Sequence, residues 1–276
     1  MLQPEAIPQH GCGTELPETD VLSVVPEAVD RMPRDKLWHA VREAATVTQK
    51  VIVGVSGGKD SVALLDICCK TFKSVYPFFM YMVKGLGFQE KYLSVLEHRY
   101  GVKFLRIPHW QLSTMYQSGA YRPDNALAMS TPTIKMGDVE NYARDYFQCG
   151  WIAYGMMKCE SLERNAMIGR SGAVDYDLKK IYPLAEWSPG KVKDYLCINQ
   201  IPLAPEYRYM KRSFGSLLPE CLEMVKDHFP DDYEKIKYIF PYIEAHEARR
   251  RYVKQKRKLD ESEERNRSET EQISEF

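Results

Sequence analysis

The sequence predicts an α/β protein with a doubly wound parallel sheet and a helical C-terminal part, on three observations. Short apolar runs rich in β-branched or aromatic residues alternate with stretches of helical periodicity, the pattern of a parallel sheet covered on both faces. The first run, Val51-Ile52-Val53-Gly54-Val55, feeds a glycine turn, Ser56-Gly57-Gly58-Lys59-Asp60-Ser61, that opens directly into a helical pattern. With 276 residues, 44% hydrophobic and 28% charged, the chain can bury one sizeable core.

Residues 1–33 carry Pro4, Pro8, Pro17, Pro26 and Pro33 among few large apolar side chains and read as an irregular arm. Residues 34–49 read as a helix, with Leu37, Val41, Ala44, Ala45 and Thr48 near one face and Trp38 beside them. A strand over 51–56 leads to a helix over 61–73 that has Ser61 in its first turn. A second strand is expected over 78–83. The helix over 87–100 places Tyr92, Val95, Leu96 and Tyr100 at helical spacing, and Gly101 stops it. A third strand over 102–107 precedes the less regular residues 110–135, either a substrate-facing segment or a surface excursion. A helix over 137–149, a fourth strand over 151–155 and a short fifth over 179–184 follow, and Pro189 starts a helix over 190–199. The α/β domain is expected to span 34–243. Residues 244–276 form a charged helix and tail, with a basic block of Arg249, Arg250, Arg251, Lys254, Lys256, Arg257 and Lys258. That block reads either as a solvated helix running into a disordered tail or as a nucleic-acid contact.

Net charge is zero and singles out no partner. No run of about 18 apolar residues is present, so no membrane-spanning helix is expected. The first residues lack the basic start and apolar core of a secretory signal. Seven cysteines, an odd number in a long chain, fit free thiols in a reducing compartment, and the cytoplasm is the expected location.

Strand, glycine-rich turn and helix together build an anion site. Gly57 and Gly58 let the backbone approach a ligand, and N–H groups at the helix start point at negative charge. Lys59 adds a cation, and Ser56 and Ser61 add hydroxyl donors. A phosphate chain is the natural guest. The turn is not a Walker A loop: only Val55, Ser56 and Gly57 lie between Gly54 and Gly58, and Asp60 follows Lys59. In such sheets ligands sit at the carboxyl ends of strands, beside a switch in strand order, where this turn falls.

The turn resembles the pyrophosphate loop of the ATP pyrophosphatases, the adenine-nucleotide α-hydrolase-like group, which cleave ATP between the α and β phosphates. Further along come Gly155-Met156-Met157-Lys158-Cys159-Glu160-Ser161-Leu162-Glu163-Arg164, then Pro183 to Trp187, Asn199-Gln200-Ile201-Pro202-Leu203 and Ser213-Phe214-Gly215. With the loop, this order over roughly 50–217 resembles the phosphoadenosine-phosphosulfate (PAPS) reductase family. The resemblance implies an adenine-nucleotide site formed by Ser56, Gly57, Gly58, Lys59, Asp60, Ser61, Gly155, Lys158, Arg164 and Trp187, with Lys59, Asp60 and Arg164 as catalytic candidates. Lys158 and Arg164 follow a strand end and either neutralise phosphate or sulfate oxygens or are surface charges at a helix start. Trp187 is either a pocket wall or a core residue. Asp60 either helps hold Mg²⁺ on the phosphates or is a helix-start carboxylate favoured by the dipole.

The chain also departs from that family. It has no C-terminal Glu-Cys-Gly-[Ile/Leu]-His segment; its last cysteine is Cys221, in Pro219-Glu220-Cys221-Leu222-Glu223. Ser216 follows Ser213-Phe214-Gly215 where iron–sulfur members carry Gly-Cys-x-x-Cys, so no four-cysteine cluster is expected. Met157 stands where the family's first arginine would be. Cys159, beside Lys158 at a helix start, is either an activated thiol or an inert small residue, and Cys221 is the other candidate reactive thiol. Cys68, Cys69, Cys149 and Cys197 read as core.

The expected function is an ATP- or adenine-nucleotide-dependent enzyme that adenylates an acceptor and releases pyrophosphate with Mg²⁺. A nucleic acid or a partner protein could be that acceptor, and an oligomer is compatible with the chain. One alternative is a sulfonucleotide reductase with a non-standard cysteine; another is a nucleotide-sensing module without turnover.

Overall fold

The computed structural model describes residues 36–119, 126, 130–245, 248, 249, 251–253, 255 and 256. The expected arm over 1–33, part of the segment 110–135, and Arg250, Lys254, Arg257 and Lys258 of the basic block lie outside the described residues. A single 3₁₀ turn, Lys36–Trp38, runs into α1 (His39–Val47). Strand β1 (Lys50–Gly54) is followed by α2 (Lys59–Thr71), β2 (Ser74–Tyr81), α3 (Gly87–Tyr100), β3 (Leu105–Pro108) and α4 (Gln111–Gln117). Then come α5 (Met136–Phe147), β4 (Ile152–Ala153), α6 (Leu162–Ser171), β5 (Val174–Asp175), β6 (Lys180–Ile181) and α7 (Pro189–Ile198). Three helices follow: α8 (Tyr207–Met210), α9 (Pro219–His228) and α10 (Pro230–Ile239).

The six strands form one sheet in the order β3-β2-β1-β4-β6-β5. Every pairing is parallel except that of β5 with β6. The sequence expectation of an all-parallel, five-strand core misses this sixth, antiparallel edge strand. Only residues 176–179 join β5 to β6, too few for the crossover that a parallel pair needs. At the sheet centre, Ile52 lies opposite Tyr76 on one side and Ile152 on the other.

Successive β1 side chains point to opposite faces, and each face has its own cover. Val51, Val53 and Val55 pack with Val41 and Ala44 of α1, Val62 and Leu65 of α2, Leu93 and Leu96 of α3, and Val192 and Leu196 of α7. Ile52 packs on the other face with Phe78, Ile107, Ile152, and Val139 and Ala143 of α5. The sheet is therefore doubly wound. A third cluster joins Met82, Val83, Leu86 and Phe88, just beyond β2, to Leu222, Val225, Ile236 and Phe240 of the C-terminal part. Gly101 ends α3 with φ of 64°, the left-handed cap that glycine adopts without strain.

Strand order fixes where a ligand can enter. From β1 the chain moves outward to β2 and β3, then returns to β4 on the other side of β1. The switch lies between β1 and β4, so the turn at 56–61 and the segment after Ala153 leave the sheet side by side.

Helix α2 is held by a buried carboxylate. Asp66, 2% exposed, accepts hydrogen bonds from the hydroxyls of Tyr195 on α7 (2.5 Å) and Tyr100 on α3 (3.0 Å). It also pairs with Lys70 one turn along α2, at 2.7 Å. Burial first, and then Asp66, push both tyrosine hydroxyls well above their ordinary pKa, so both remain donors. Asp66→Ala strands two partly buried donors at about 1–3 kcal/mol each. Urea denaturation should show a loss of roughly 2–5 kcal/mol; a loss within experimental error would mean that Asp66 does not tie the three helices together.

Candidate functional site

The turn between β1 and α2 is stitched by its own serines. Ser61 Oγ donates to the Gly58 carbonyl (2.8 Å), accepts from Ser56 N–H (3.1 Å) and lies 3.3 Å from Ser56 Oγ. Gly58 N–H reaches Ser56 Oγ at 3.4 Å. Gly57 has φ of 78° with open space around its α-carbon, so its glycine is required by backbone conformation rather than by crowding. At Gly58 a Cβ would stand 3.3 Å from both Ser56 Oγ and Ser213 Oγ. The first turn of α2 has no preceding helical carbonyls; Val62 N–H, bonded to Gly58 O at 3.0 Å, begins the ladder.

Charge within the turn is paired. Lys59 Nζ bridges both carboxylate oxygens of Asp60, at 2.6 and 2.7 Å, with each side chain about one-fifth to one-quarter exposed. The Lys59 N–H donates to the Tyr207 hydroxyl at 2.7 Å. Burial, with Asp60 and Glu206 nearby, raises the pKa of that hydroxyl, which the Lys59 N–H partly offsets. Tyr207 and Ser213, on the stretch from α8 to α9, thus roof the turn. Ser213 opens the Ser213-Phe214-Gly215 motif, but Tyr207 carries no local sequence signal; the Lys59–Tyr207 contact spans 148 residues.

Beyond β4 the backbone comes very close to the turn. A Cβ on Gly155 would lie 3.0 Å from the Asp60 carbonyl oxygen and 3.3 Å from the Ser61 nitrogen. Gly155 is thus the spacer that lets the β4 exit meet the start of α2. Lys158 and Arg164, expected near the phosphates, both carry carboxylate partners: Lys158 pairs with Glu186, and Arg164 with Glu160. Glu160 also accepts from Met157 N–H at 3.0 Å, and Ser161 caps α6 by accepting from Arg164 N–H at 3.1 Å. Met157 is fully buried.

The remaining candidates separate. Trp187 is buried, its indole N–H donates to Leu37 O at 2.7 Å, and its ring meets those of Trp38 and Tyr195 edge-on, both at 5.5 Å; it takes the core place. Cys159 is exposed, with its Sγ 3.4 Å from Trp187 O. Cys221 is 1% exposed, with Ser216 Oγ at 3.8 Å and Arg212 Nη2 at 3.6 Å. Cys68 and Cys149 are buried, and burial raises both thiols; Cys69 is only partly buried, and burial followed by Asp66 raises it to about 12. Cys197 corrects the expectation of a core residue: it is exposed in the last turn of α7, beside Ile198, which is itself 79% exposed. There it lines a groove of about 620 Å³ that runs along α7 to Lys59 and Tyr207.

A doubly wound, mostly parallel sheet with a glycine turn at its strand switch sets the class: an α/β fold with a helical C-terminal part. Residues 50–218 match the phosphoadenosine phosphosulfate reductase domain, and the chain belongs to that family. Among proteins of curated function, none matches the sequence. Similar solved structures include the U34-tRNA thiolase NcsA from Methanococcus maripaludis with its [4Fe-4S] cluster, at 16% identity over 76% of this chain and 78% of that one, TM-score 0.43. A phosphoadenylyl-sulfate reductase from Candida auris in a phosphate complex shares 15% identity over 72% and 98%, TM-score 0.45. The NH3-dependent NAD synthetase from Campylobacter jejuni, in complex with a nitrate ion, shares 14% over 74% and 93%, TM-score 0.38. Among the described residues no helix is long and apolar enough to cross a membrane.

The Tyr207 roof generates an expected outcome of opposite signs. Its hydroxyl takes an N–H that a bound phosphate would otherwise receive. Tyr207→Phe should tighten binding of a triphosphate nucleotide and lower folding stability, each by about 0.5–1.5 kcal/mol. Titration calorimetry and urea denaturation check the two halves. Weaker nucleotide binding in this variant would make Tyr207 a ligand contact rather than a competitor.

Proposed function

We propose that the turn at 56–61 binds the phosphates of ATP or a related adenine nucleotide, and that the chain adenylates an acceptor with release of pyrophosphate. The observation that carries this reading is the open first turn of α2, which lies beside the β4 exit with a lysine and a carboxylate at its mouth. An acceptor nucleophile attacks the α-phosphorus, the bond to the β-phosphate oxygen breaks, and the leaving pyrophosphate takes up negative charge. Amides at the start of α2, with Lys59, stabilise that charge once the Tyr207 hydroxyl and the Asp60 carboxylate give way to it.

Lys59 and Asp60 suit a magnesium–phosphate guest. They neutralise each other in the absence of ligand, and such a guest offers each an opposite partner: phosphate for the ammonium, the cation for the carboxylate. One carboxylate plus phosphate oxygens is a usual donor set for Mg²⁺, whose chemistry here is neutralisation of phosphate charge. Lys158 and Arg164 follow β4, the strand beside β1, and each is paired with a carboxylate. Both ion pairs are partly exposed and therefore cheap to exchange for an anion.

Family membership supports a second reading, reduction of a sulfonucleotide. That reaction needs a thiolate that attacks sulfur and a second thiol to resolve the intermediate. Cys221 is buried, which leaves Cys159 and Cys197 as the exposed thiols among the described residues, Cys159 being the one that the sequence singles out. A nucleotide-sensing module would bind without turnover.

Lys59→Ala should weaken ATP binding by roughly 1.5–3 kcal/mol, the range for a hydrogen bond to a charged group. Calorimetry giving equal affinities in variant and parent would remove the nucleotide from this turn. With the acceptor supplied, ATP and Mg²⁺ should yield pyrophosphate, while PAPS or adenylyl sulfate with thioredoxin should yield no sulfite. Sulfite release abolished by Cys159→Ser would establish the reductase reading instead, and nucleotide binding without product of either kind would establish the sensing module.

A further inference from the structure

The groove along α7 is outside the phosphate turn, yet Lys59 and Tyr207 belong to both. Its floor is apolar, with Leu196, Ile201 and Leu203. Its rim carries the ammonium groups of Lys59, Lys193 and Lys211, and no carboxylate is among its lining residues. Lys59 is paired with Asp60, but Lys193 and Lys211 make no ion pair among the described residues. From Pro189 to Cys197 the groove follows α7, a ten-residue helix about 15 Å long at the helical rise per residue, and it continues to Gln200 beyond the helix end. The roof that crosses its end reads Tyr207-Arg208-Tyr209-Met210-Lys211-Arg212, basic and aromatic residues interleaved. Arg208 is exposed, and Tyr209 is 43% exposed with its ring stacked on His228 at 3.6 Å.

We infer that this groove is the seat of a single-stranded nucleic acid, which makes the acceptor of the proposed adenylation a nucleic acid; the inference rests on that reading of the turn. An elongated, acid-free trough with cations on its rim and an apolar floor follows a phosphate backbone and accepts bases against its floor. A compact anion needs one cluster of cations, whereas Lys193 and Lys211 stand on separate elements along the trough. Lys59 joins the groove to the phosphate turn, so a strand lying there has its reacting group led toward the α-phosphate.

The test uses the full chain and fluorescein-labelled DNA and RNA single strands of about 12 nucleotides, a length within the usual site size. Anisotropy is read across a salt series. The parent should bind, with log K falling linearly in log salt. Lys193→Ala with Lys211→Ala should weaken binding roughly tenfold at low salt and flatten the slope by about 1.4, two phosphate contacts at about 0.7 each. Lys103→Ala, an exposed lysine at the amino-terminal edge of the sheet, should behave as the parent. Bound strand should also protect Cys197 from iodoacetamide, read by peptide mass spectrometry. An unchanged slope in the double variant, or unprotected Cys197, overturns the inference. So does equal protection by AMP or by polyglutamate, which would make the groove a mononucleotide seat or an acidic-protein contact. A parent that binds ATP but no oligonucleotide sinks this inference alone; one that binds oligonucleotide but no ATP sinks the reading of the turn instead.

Discussion

At the start of α2 the backbone amides have no carbonyls of their own helix to donate to, and the segments that converge there meet only part of that need. Gly58 N–H takes the Ser56 hydroxyl, Ser56 N–H takes Ser61, and Lys59 N–H takes Tyr207. The dipole of a thirteen-residue helix ends at the same point. An anion is the guest that the proposed function assigns to this place. The left-handed Gly57 shapes the turn, and the bare α-carbon of Gly155 lets the exit of the two-residue strand β4 come up against it at the switch in strand order.

Rigidity behind the turn comes from elsewhere. Asp66, one turn and more into α2, collects hydroxyls from α3 and α7, so the helix cannot slide without breaking buried hydrogen bonds. The charges in the turn and after β4 are held differently. Lys59, Lys158 and Arg164 each have a carboxylate partner in partly exposed surroundings. Pairs of that kind contribute little to stability. Such partly exposed pairs exchange partners cheaply, in contrast to the buried bonds of Asp66.

Much of this was legible in the sequence because it is local. The turn reads from six consecutive residues, and β1 reads from three β-branched residues beside a glycine. The helix over 87–100 was bounded correctly because Gly101 supplies its cap. What escaped was short or distant. Strand β5 has two residues, too few to show alternation, and its antiparallel sense follows from a four-residue connection rather than from composition. Tyr207 bonds to a residue far away in the chain, and nothing in its neighbours announces that. The sequence sets Cys197 on an apolar helix face, yet the side of α7 that bears Cys197 and Ile198 faces outward. Trp187, open between pocket and core on sequence alone, settles in the core because Leu37 offers its indole a carbonyl.

The central claim is that phosphate oxygens sit on the amides that begin α2. Backbone ¹H–¹⁵N spectra recorded while α,β-methylene-ATP and Mg²⁺ are added test it most directly, since that analogue resists cleavage at the bond in question. The account predicts the largest shifts at Gly57, Gly58, Lys59, Asp60 and Ser61, with Tyr207 following as its bond to Lys59 N–H is released. Saturable binding that leaves those five amides unmoved, with its shifts confined to other helix starts or to the groove along α7, would contradict it.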